Sequence, residues 1–314
     1  MALTTLERIE ALEAAQQPVQ PEDTMAEAGR KALLGEFVRM LKHEDGSRSG
    51  EDIEDVHQMR VAIRRMRSLL RLLEPYLKRG DTRSFQRDLK RIGTTLGEVR
   101  DLDVLLEDLH VYQLTLEADQ QADMQTVIDG LDANRVSARE DLLDELDAKF
   151  YRRFVRDFAD FLLTPGSGVK PLDGDGVVPT QIRHILPTLI YDRLASVRAY
   201  ETVIDGADPT TLHALRIEFK RLRYTVSLFE SILGSQIDEF IDELKAIQDC
   251  LGHMNDAAAA RIWLDAYKND PVQAYIAQLE ERDAALRLQF MEIWMRFNTR
   301  KVQQKLSAAV LALR

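Results

Sequence analysis

The chain has 314 residues, 45% of them apolar and 30% charged, which is the balance of a soluble globular protein with room for one large domain or two ordinary ones. A formal net charge of -11 counts against a general nucleic-acid binder, although a net charge leaves room for a local basic site. One cysteine, Cys250, rules out an internal disulfide framework and a cysteine-ligated zinc cluster.

In chain order, the first stretch, MALTTLERIEALEAAQQ, carries Glu7, Glu10 and Glu13 and no continuous apolar run. It reads as neither a signal peptide nor a membrane anchor, and a cytoplasmic protein is expected. Residues 1–21 are taken as an extension. Pro21-Glu22-Asp23 opens a first helix that should fade near HEDGSRSG. A second helix is predicted over about 52–78 and a third over about 82–110. A long or broken helical region then runs to about 163. The segment LLTPGSGVKPLDGDGVVP holds most of the clustered Gly and Pro and reads as a linker over 164–178. Pro179-Thr180 is a good helix start, after which the pattern repeats to the C-terminus. No convincing period-2 strand is present. The expected fold is all-α, built as helical bundles.

An internal repeat divides the chain. VHQMRVAIRRMR at 56–67 matches LHALRIEFKRLR at 212–223 with an offset of 156. LKRIGTTLGEVRD from residue 89 matches LKAIQDCLGHMND from residue 244 with an offset of 155. The near-constant offset predicts duplication of one unit, as repeat 1 over 22–163 and repeat 2 over 179–310, forming two pseudo-symmetric bundles within one domain over 22–310.

On a helix, Val56, Met59, Ile63, Met66, Leu70 and Leu73 step by three and four along one apolar face. His57, Arg60, Arg64, Arg67 and Arg71 follow one position later, so a basic stripe runs along the edge of the buried seam. In the second copy, Leu212, Leu215, Phe219, Leu222, Val226 and Phe229 lie beside His213, Arg216, Lys220 and Arg223. Ordinary solvated faces mix charge signs at i,i+4. The first stripe instead stacks like charges, at a cost of roughly 1 kcal/mol. Asp101 and Asp256 are too few to neutralise it, and a polyanionic ligand is the simpler account. From His57 to Arg71 the stripe spans about 21 Å, which suits an extended chain of phosphates.

Arg65, Lys90 and Arg100 could extend the site in the first half, and Arg221 and Lys245 in the second. Asn255 stands opposite Arg100. Arg83 and Arg87 are matched by Asp238 and Asp242, so the third-helix surface should be basic in one half and more acidic in the other. Arg152, Arg153 and Arg156 form a further cluster without a counterpart. His57 and His213 are read either as ligand contacts or as supports of an interhelical hydrogen bond, and metal ligation is not expected of them. Gly97 and Gly252, inside helical patterns, suggest a close helix crossing or a helix break. No Gly-rich phosphate loop and no nucleophile–base set is legible, so no catalytic residue and no cofactor is assigned.

The paired VHQMRVAIRRMR and LHALRIEFKRLR motifs, each followed by LGEVRD or LGHMND, resemble the CHAD family, the conserved histidine α-helical domain. The resemblance covers about 22–310. It implies two pseudo-symmetric helical bundles with a basic groove or pore, and non-catalytic binding of inorganic polyphosphate. It carries the basic positions onto His57, Arg60, Arg64, Arg65, Arg67, Lys90 and Arg100. In the second copy these become His213, Arg216, Lys220, Arg221, Arg223 and Lys245. It also implies a stand-alone module acting at polyphosphate granules. Nucleic acid is a weaker alternative, because Tyr224 is the only aromatic near the stripes; docking of an acidic protein is another.

Overall fold

The computed structural model describes residues 5–171 and 178–313, and its regular structure there is helical throughout. The first half contains α1 (Thr5–Ala14), α2 (Met25–Lys42), α3 (Glu44–Ser49), α4 (Ile53–Leu72), α5 (Arg79–Gln113), α6 (Ala118–Asp147) and α7 (Lys149–Leu163). The second contains α8 (Ile182–Arg198), α9 (Pro209–Ser227), α10 (Ile237–Leu264), α11 (Asp270–Phe297) and α12 (Arg300–Leu311). None of these helices is long and apolar enough to cross a membrane.

The sequence-predicted apolar faces of the two stripe helices are buried in full. Val56, Met59, Ile63, Met66 and Leu70 of α4, with Leu73 just beyond it, and Leu215, Phe219, Leu222 and Val226 of α9 are almost without exposed surface. α2 approaches α4 closely at Gly29, where a Cβ would stand 2.3 Å from a Leu73 methyl carbon. A side chain at Gly29 would therefore push the two helices apart. Each half closes over an aromatic cluster. In the first, Phe158 sits 5.1 Å from Phe37, 4.8 Å from Phe85 and 5.4 Å from Phe154 between ring centroids. In the second, Phe297 lies 5.3 Å from Phe219 and 5.7 Å from Phe240. Edge-to-face, tilted and offset-stacked pairs of this kind add to what burial alone supplies.

Helices pack in the same order in both halves: α2 on α4 and α8 on α9, then α4 on α5 and α9 on α10, then α5 on α6 and α10 on α11. Contacts between the halves join α2 to α8, α4 to α9, α5 to α10 and α6 to α11. The segments leading into α2 and α8 exchange backbone hydrogen bonds, Met25 N–H to Thr180 O at 2.8 Å and Ile182 N–H to Asp23 O at 2.8 Å. The stripe helices α4 and α9 consequently face each other across the middle of the molecule.

Three local expectations are corrected. HEDGSRSG does not end in a loop: residues 44–49 form α3, closed by Gly50 in the left-handed conformation with φ 69°. The second helix stops at Leu72, short of 78. The helix expected from Pro179-Thr180 starts two residues later, because those residues pair with the strand-like approach to α2. Of the linker, residues 172–177 lie outside the described residues. Its first part is pinned to the α4–α5 turn by Lys78 N–H to Gly168 O at 2.7 Å and Lys170 N–H to Tyr76 O at 3.0 Å.

Phe158→Ala should cost about 3–5 kcal/mol, the usual range for deleting a fully buried ring. Leu288→Ala, at a residue 73% exposed, should stay within about 0.5 kcal/mol of the parent. Equilibrium urea unfolding followed by circular dichroism measures both. Equal midpoints for the two variants would mean that the aromatic cluster does not hold the first half together.

Candidate functional site

The two stripe helices start alike. Asp52 caps α4 by accepting from the Glu54 N–H at 2.8 Å, and Asp208 caps α9 by accepting from the Thr211 N–H at 2.6 Å. Pro209 occupies the first turn of α9, where its missing N–H costs nothing. These caps fix the register five residues before each histidine, and with it the direction of each basic stripe.

Between α4, α5, α9 and α10 lies a cavity of about 480 Å³. Arg60 and Arg64 reach it from α4, Arg100 from α5, and Arg216, Lys220 and Arg223 from α9. His57 joins them at its edge. Asp101 and Asp108 of α5, and Asp249 and Asp256 of α10, stand on the opposing walls. Six Lys and Arg side chains therefore meet four Asp carboxylates, leaving an excess of positive charge inside an acidic protein.

The polar groups are incompletely matched. Arg60 makes only a long ion pair with Asp101, at 3.6 Å. Arg64 donates through Nη2 to the Tyr224 hydroxyl at 3.1 Å, tying α4 to α9. Yet Nε of Arg64, Nη1 of Arg100 and Nε2 of Gln248 are buried with no acceptor, and all three residues line this cavity. A buried donor left unmatched costs about 1–3 kcal/mol. Three such donors on one recess mark a place built for acceptor atoms.

Burial and crowding also shift the titration of these groups. Lys220 has its pKa pulled down to about 7, by burial first and then by repulsion from Arg64, Arg216, Arg60 and Arg67. Burial likewise lowers the values of Arg60, Arg216 and Arg223 from the ordinary arginine range. His57 lies below the usual histidine value, through burial and then the Arg100 charge, so the neutral ring is favoured there. Asp101 is raised by burial, with attraction from Arg60 opposing.

Of the sequence-predicted site residues, the cavity unites His57, Arg60, Arg64, Arg100, Arg216, Lys220 and Arg223. A second recess of about 420 Å³ adjoins it, sharing Val61 and Arg223, and holds Arg65 and Lys245 together with Asp238 and Asp242. There Arg65 is paired with Glu36 at 2.7 Å and Lys245 with Asp242 at 2.9 Å. His213 lines a smaller pocket with Arg216 and Arg261. Arg67 is half-buried on α4 beside the cavity, whereas Arg71 and Lys90 are exposed outside it. Arg221 is exposed and bonded to Glu218. Arg152, Arg153 and Arg156 project from the outer face of α7.

Gln248, Asp108, Asp249 and His253 were not singled out from the sequence, yet they line the cavity. Gln248, Gly252, Asn255 and Ala259 follow a three-and-four spacing along α10, which puts Gln248 on the face of the LGHMND motif; nothing local marks Asp108 on α5. Neither glycine of that motif pair breaks its helix. At Gly97 the Arg60 guanidinium lies over α5, where a Cβ would meet its Nε at an ordinary 3.6 Å, and Gly252 leaves open space within the cavity. Among the described residues, no three His, Cys, Asp or Glu side chains stand together as a metal site.

A family model described as CHAD domain matches residues 31–265. The chain is similar in structure to one reported as the crystal structure of the CHAD domain from the plant Ricinus communis. The TM-score is 0.63 with 22% identity, covering 95% of this chain and 96% of that one. It is similar also to PptA from Streptomyces chartreusis, with TM-score 0.64 and 16% identity over 87% of this chain and 99% of that one. No curated protein sequence matches.

Because the folded pKa of Lys220 lies below the unfolded value near 10.4, the unfolded chain holds this proton more tightly. The resulting penalty on stability is complete below about pH 7 and fades as pH rises towards 10.4. Lys220→Met should therefore stabilise the free protein by about 1–2 kcal/mol at pH 6.5. The difference should shrink by pH 9.5, as read by chemical denaturation at the two pH values. A constant difference would show that the amine is not held against its charge.

Proposed function

The chain belongs to the CHAD domain family, and on that footing we propose that it binds one inorganic polyphosphate chain, without cleaving it, in the cavity between α4, α5, α9 and α10. The observation that carries this reading is the set of buried, unmatched donors of Arg64, Arg100 and Gln248, set among cations drawn from both stripes. A row of phosphates offers what these groups lack: many acceptor oxygens at close intervals and about one negative charge per unit. Arginine forks suit such oxygens through paired N–H bonds. Arg223, which borders both recesses, gives a continuous basic path from the cavity towards Arg65 and Lys245, with Arg67 and Arg71 extending it along α4.

The two halves are read as copies of one unit related by a pseudo-twofold rotation, each supplying one stripe to the same ligand. The matched order of helix packing supports this. Nucleic acid fits less well. The cavity walls present no Phe, Tyr or Trp ring for base stacking, and Tyr224, at the second recess, is buried with its hydroxyl engaged by Arg64. A recess also suits a narrow chain better than the broad face of an acidic protein. The role that follows is storage or recognition of polyphosphate in the cytoplasm, at granules where that polymer accumulates.

Arg64→Ala and Arg216→Ala should each weaken polyphosphate binding by roughly 1–3 kcal/mol, or about 5- to 160-fold. Their double variant should depart from additivity if one chain touches both. Arg152→Ala on α7 should leave affinity within about twofold, as a surface charge far from the ligand. Affinity should fall linearly with log salt, with a shallower slope in the arginine variants. It should also fall as pH rises above 7, because Lys220 must take up a proton to meet the anion. Titration at three salt concentrations and two pH values, with DNA, RNA and an acidic peptide as competitors, tests all of this. Unchanged affinity in folded Arg64 and Arg216 variants would defeat the proposal, and so would stronger competition by the peptide or nucleic acid than by polyphosphate.

A further inference from the structure

Lys220 is the one lysine among the described residues lining the cavity; the remaining cations there are arginines. No carboxylate stands within ion-pair distance of it, as is also true of exposed lysines such as Lys90, but Lys220 is held inside the cavity rather than in solvent. Arg64 holds the corresponding place in the first stripe, and a guanidinium cannot release its proton to become a nucleophile. The second stripe thus departs from the first at one position, by placing a primary amine where phosphate oxygens are expected.

We infer that Lys220 is a self-acylation site for small acyl phosphates, whose phosphoryl end is seated by the cavity's arginines while the ε-amino group takes the acyl group. The inference rests on the cavity being a phosphate site, as proposed above, and adds a covalent reaction to it. In the reaction the neutral amine's lone pair attacks the acyl carbon and forms the N–C bond. The bond from the acyl carbon to the bridging oxygen breaks, its electron pair leaves on phosphate, and the ammonium proton passes to that departing phosphate. No oxidant, reductant or further reactant is required.

The surroundings favour each part of this step. Arg60, Arg64 and Arg67 face Lys220 from α4 and Arg216 from its own helix, and all oppose its charged form. His57 of α4, Arg223 of α9, Arg100, Asp101 and Asp108 of α5, and Asp249, His253 and Asp256 of α10 complete the titratable wall. In the free protein the amine's pKa is pulled down to about 7, so a substantial share is neutral near pH 7, and a small acyl phosphate, carrying fewer charges than polyphosphate, shifts it back up less. For an exposed lysine of ordinary pKa 10.4 the neutral share is about one molecule in 2,500. A less basic amine is intrinsically a weaker nucleophile, but the larger neutral fraction outweighs that by at least about tenfold. Acylation would convert the lysine cation of this wall into a neutral, longer amide that occupies the cavity. Polyphosphate binding would then report the acyl-phosphate level.

The test uses the full chain at pH 7 with acetyl phosphate, and with acetic anhydride as an acyl donor lacking phosphate, followed by quantitative peptide mass spectrometry. With acetyl phosphate, Lys220 should be acetylated at least about tenfold faster than the exposed Lys90 and Lys268. Excess inorganic phosphate or polyphosphate should suppress that label. Arg64→Ala should slow labelling by acetyl phosphate more than by the anhydride, and Lys220→Arg should lose the label, with circular dichroism verifying both folds. Labels spread evenly over surface lysines, or a Lys220 label indifferent to phosphate and to Arg64, would overturn the inference. Direct titration of unlabelled protein with polyphosphate separates the two readings. Binding without a Lys220 label removes this inference and leaves the proposed function, whereas a phosphate-protected label without polyphosphate binding does the reverse.

Discussion

Like charges held side by side at the edge of a buried seam set the terms for the rest of this molecule. Each basic stripe lies one residue away from the apolar face that builds the core, so the cations cannot move into solvent without rotating the helix and exposing that face. Burying Phe219, Leu222 and Val226 on α9, and Ile63, Met66 and Leu70 on α4, thereby obliges Arg64, Arg216, Lys220 and Arg223 to share one recess. Hydrophobic burial, at about 25 cal/mol per Å², is large enough to hold that arrangement against mutual repulsion. The aromatic clusters on either side and the Asp caps at 52 and 208 keep the two helices in the required register.

The recess remains electrostatically unfinished. Asp101 reaches Arg60 only at 3.6 Å, and the donors of Arg64, Arg100 and Gln248 stay unmatched. Elsewhere arginines reach carboxylates at shorter range, Arg65 to Glu36 at 2.7 Å and Arg48 to Asp147 at 2.7 Å, although one oxygen of Glu36 stays buried without a partner. The contrast is local, because a chain with 53 acidic residues has carboxylates in plenty. A surface that is acidic overall repels polyanions at a distance, while a recess with excess positive charge attracts one that is narrow enough to enter.

The two halves differ in ways that matter at this scale. Arg83 and Arg87 are exposed on α5, whereas Asp238 and Asp242 sit at the matching places on α10 and line the second recess. Lys245 spends its charge on Asp242 there. Asn255 stands in place of an arginine, and Lys220 in place of Arg64. The second half therefore brings fewer permanent charges and a lysine, Lys220, whose pKa burial and neighbouring arginines pull down to about 7. Fixed guanidinium charge on α4 and a titratable amine on α9 thus stand in one recess.

The sequence alone determined the all-helical character, the apolar faces of α4 and α9 and the direction of their basic stripes. Those follow from the 3.6-residue period, which is local and leaves its mark in the order of residues. The offset between repeats also matched the segments that fold into α4 and α9, and α5 and α10. What only the tertiary structure decided was which cations share a recess. Arg64 and Arg65 are adjacent in sequence, but one turns towards Tyr224 and the cavity and the other towards Glu36 on α2. Lys90 and Arg100 lie on one helix, yet only Arg100 reaches the site. Gln248, Asp108 and Asp249 entered it because of where α5 and α10 cross the stripe helices. The packing of one helix on another, set by side chains far apart in the chain, decides such neighbours, and no local period encodes it.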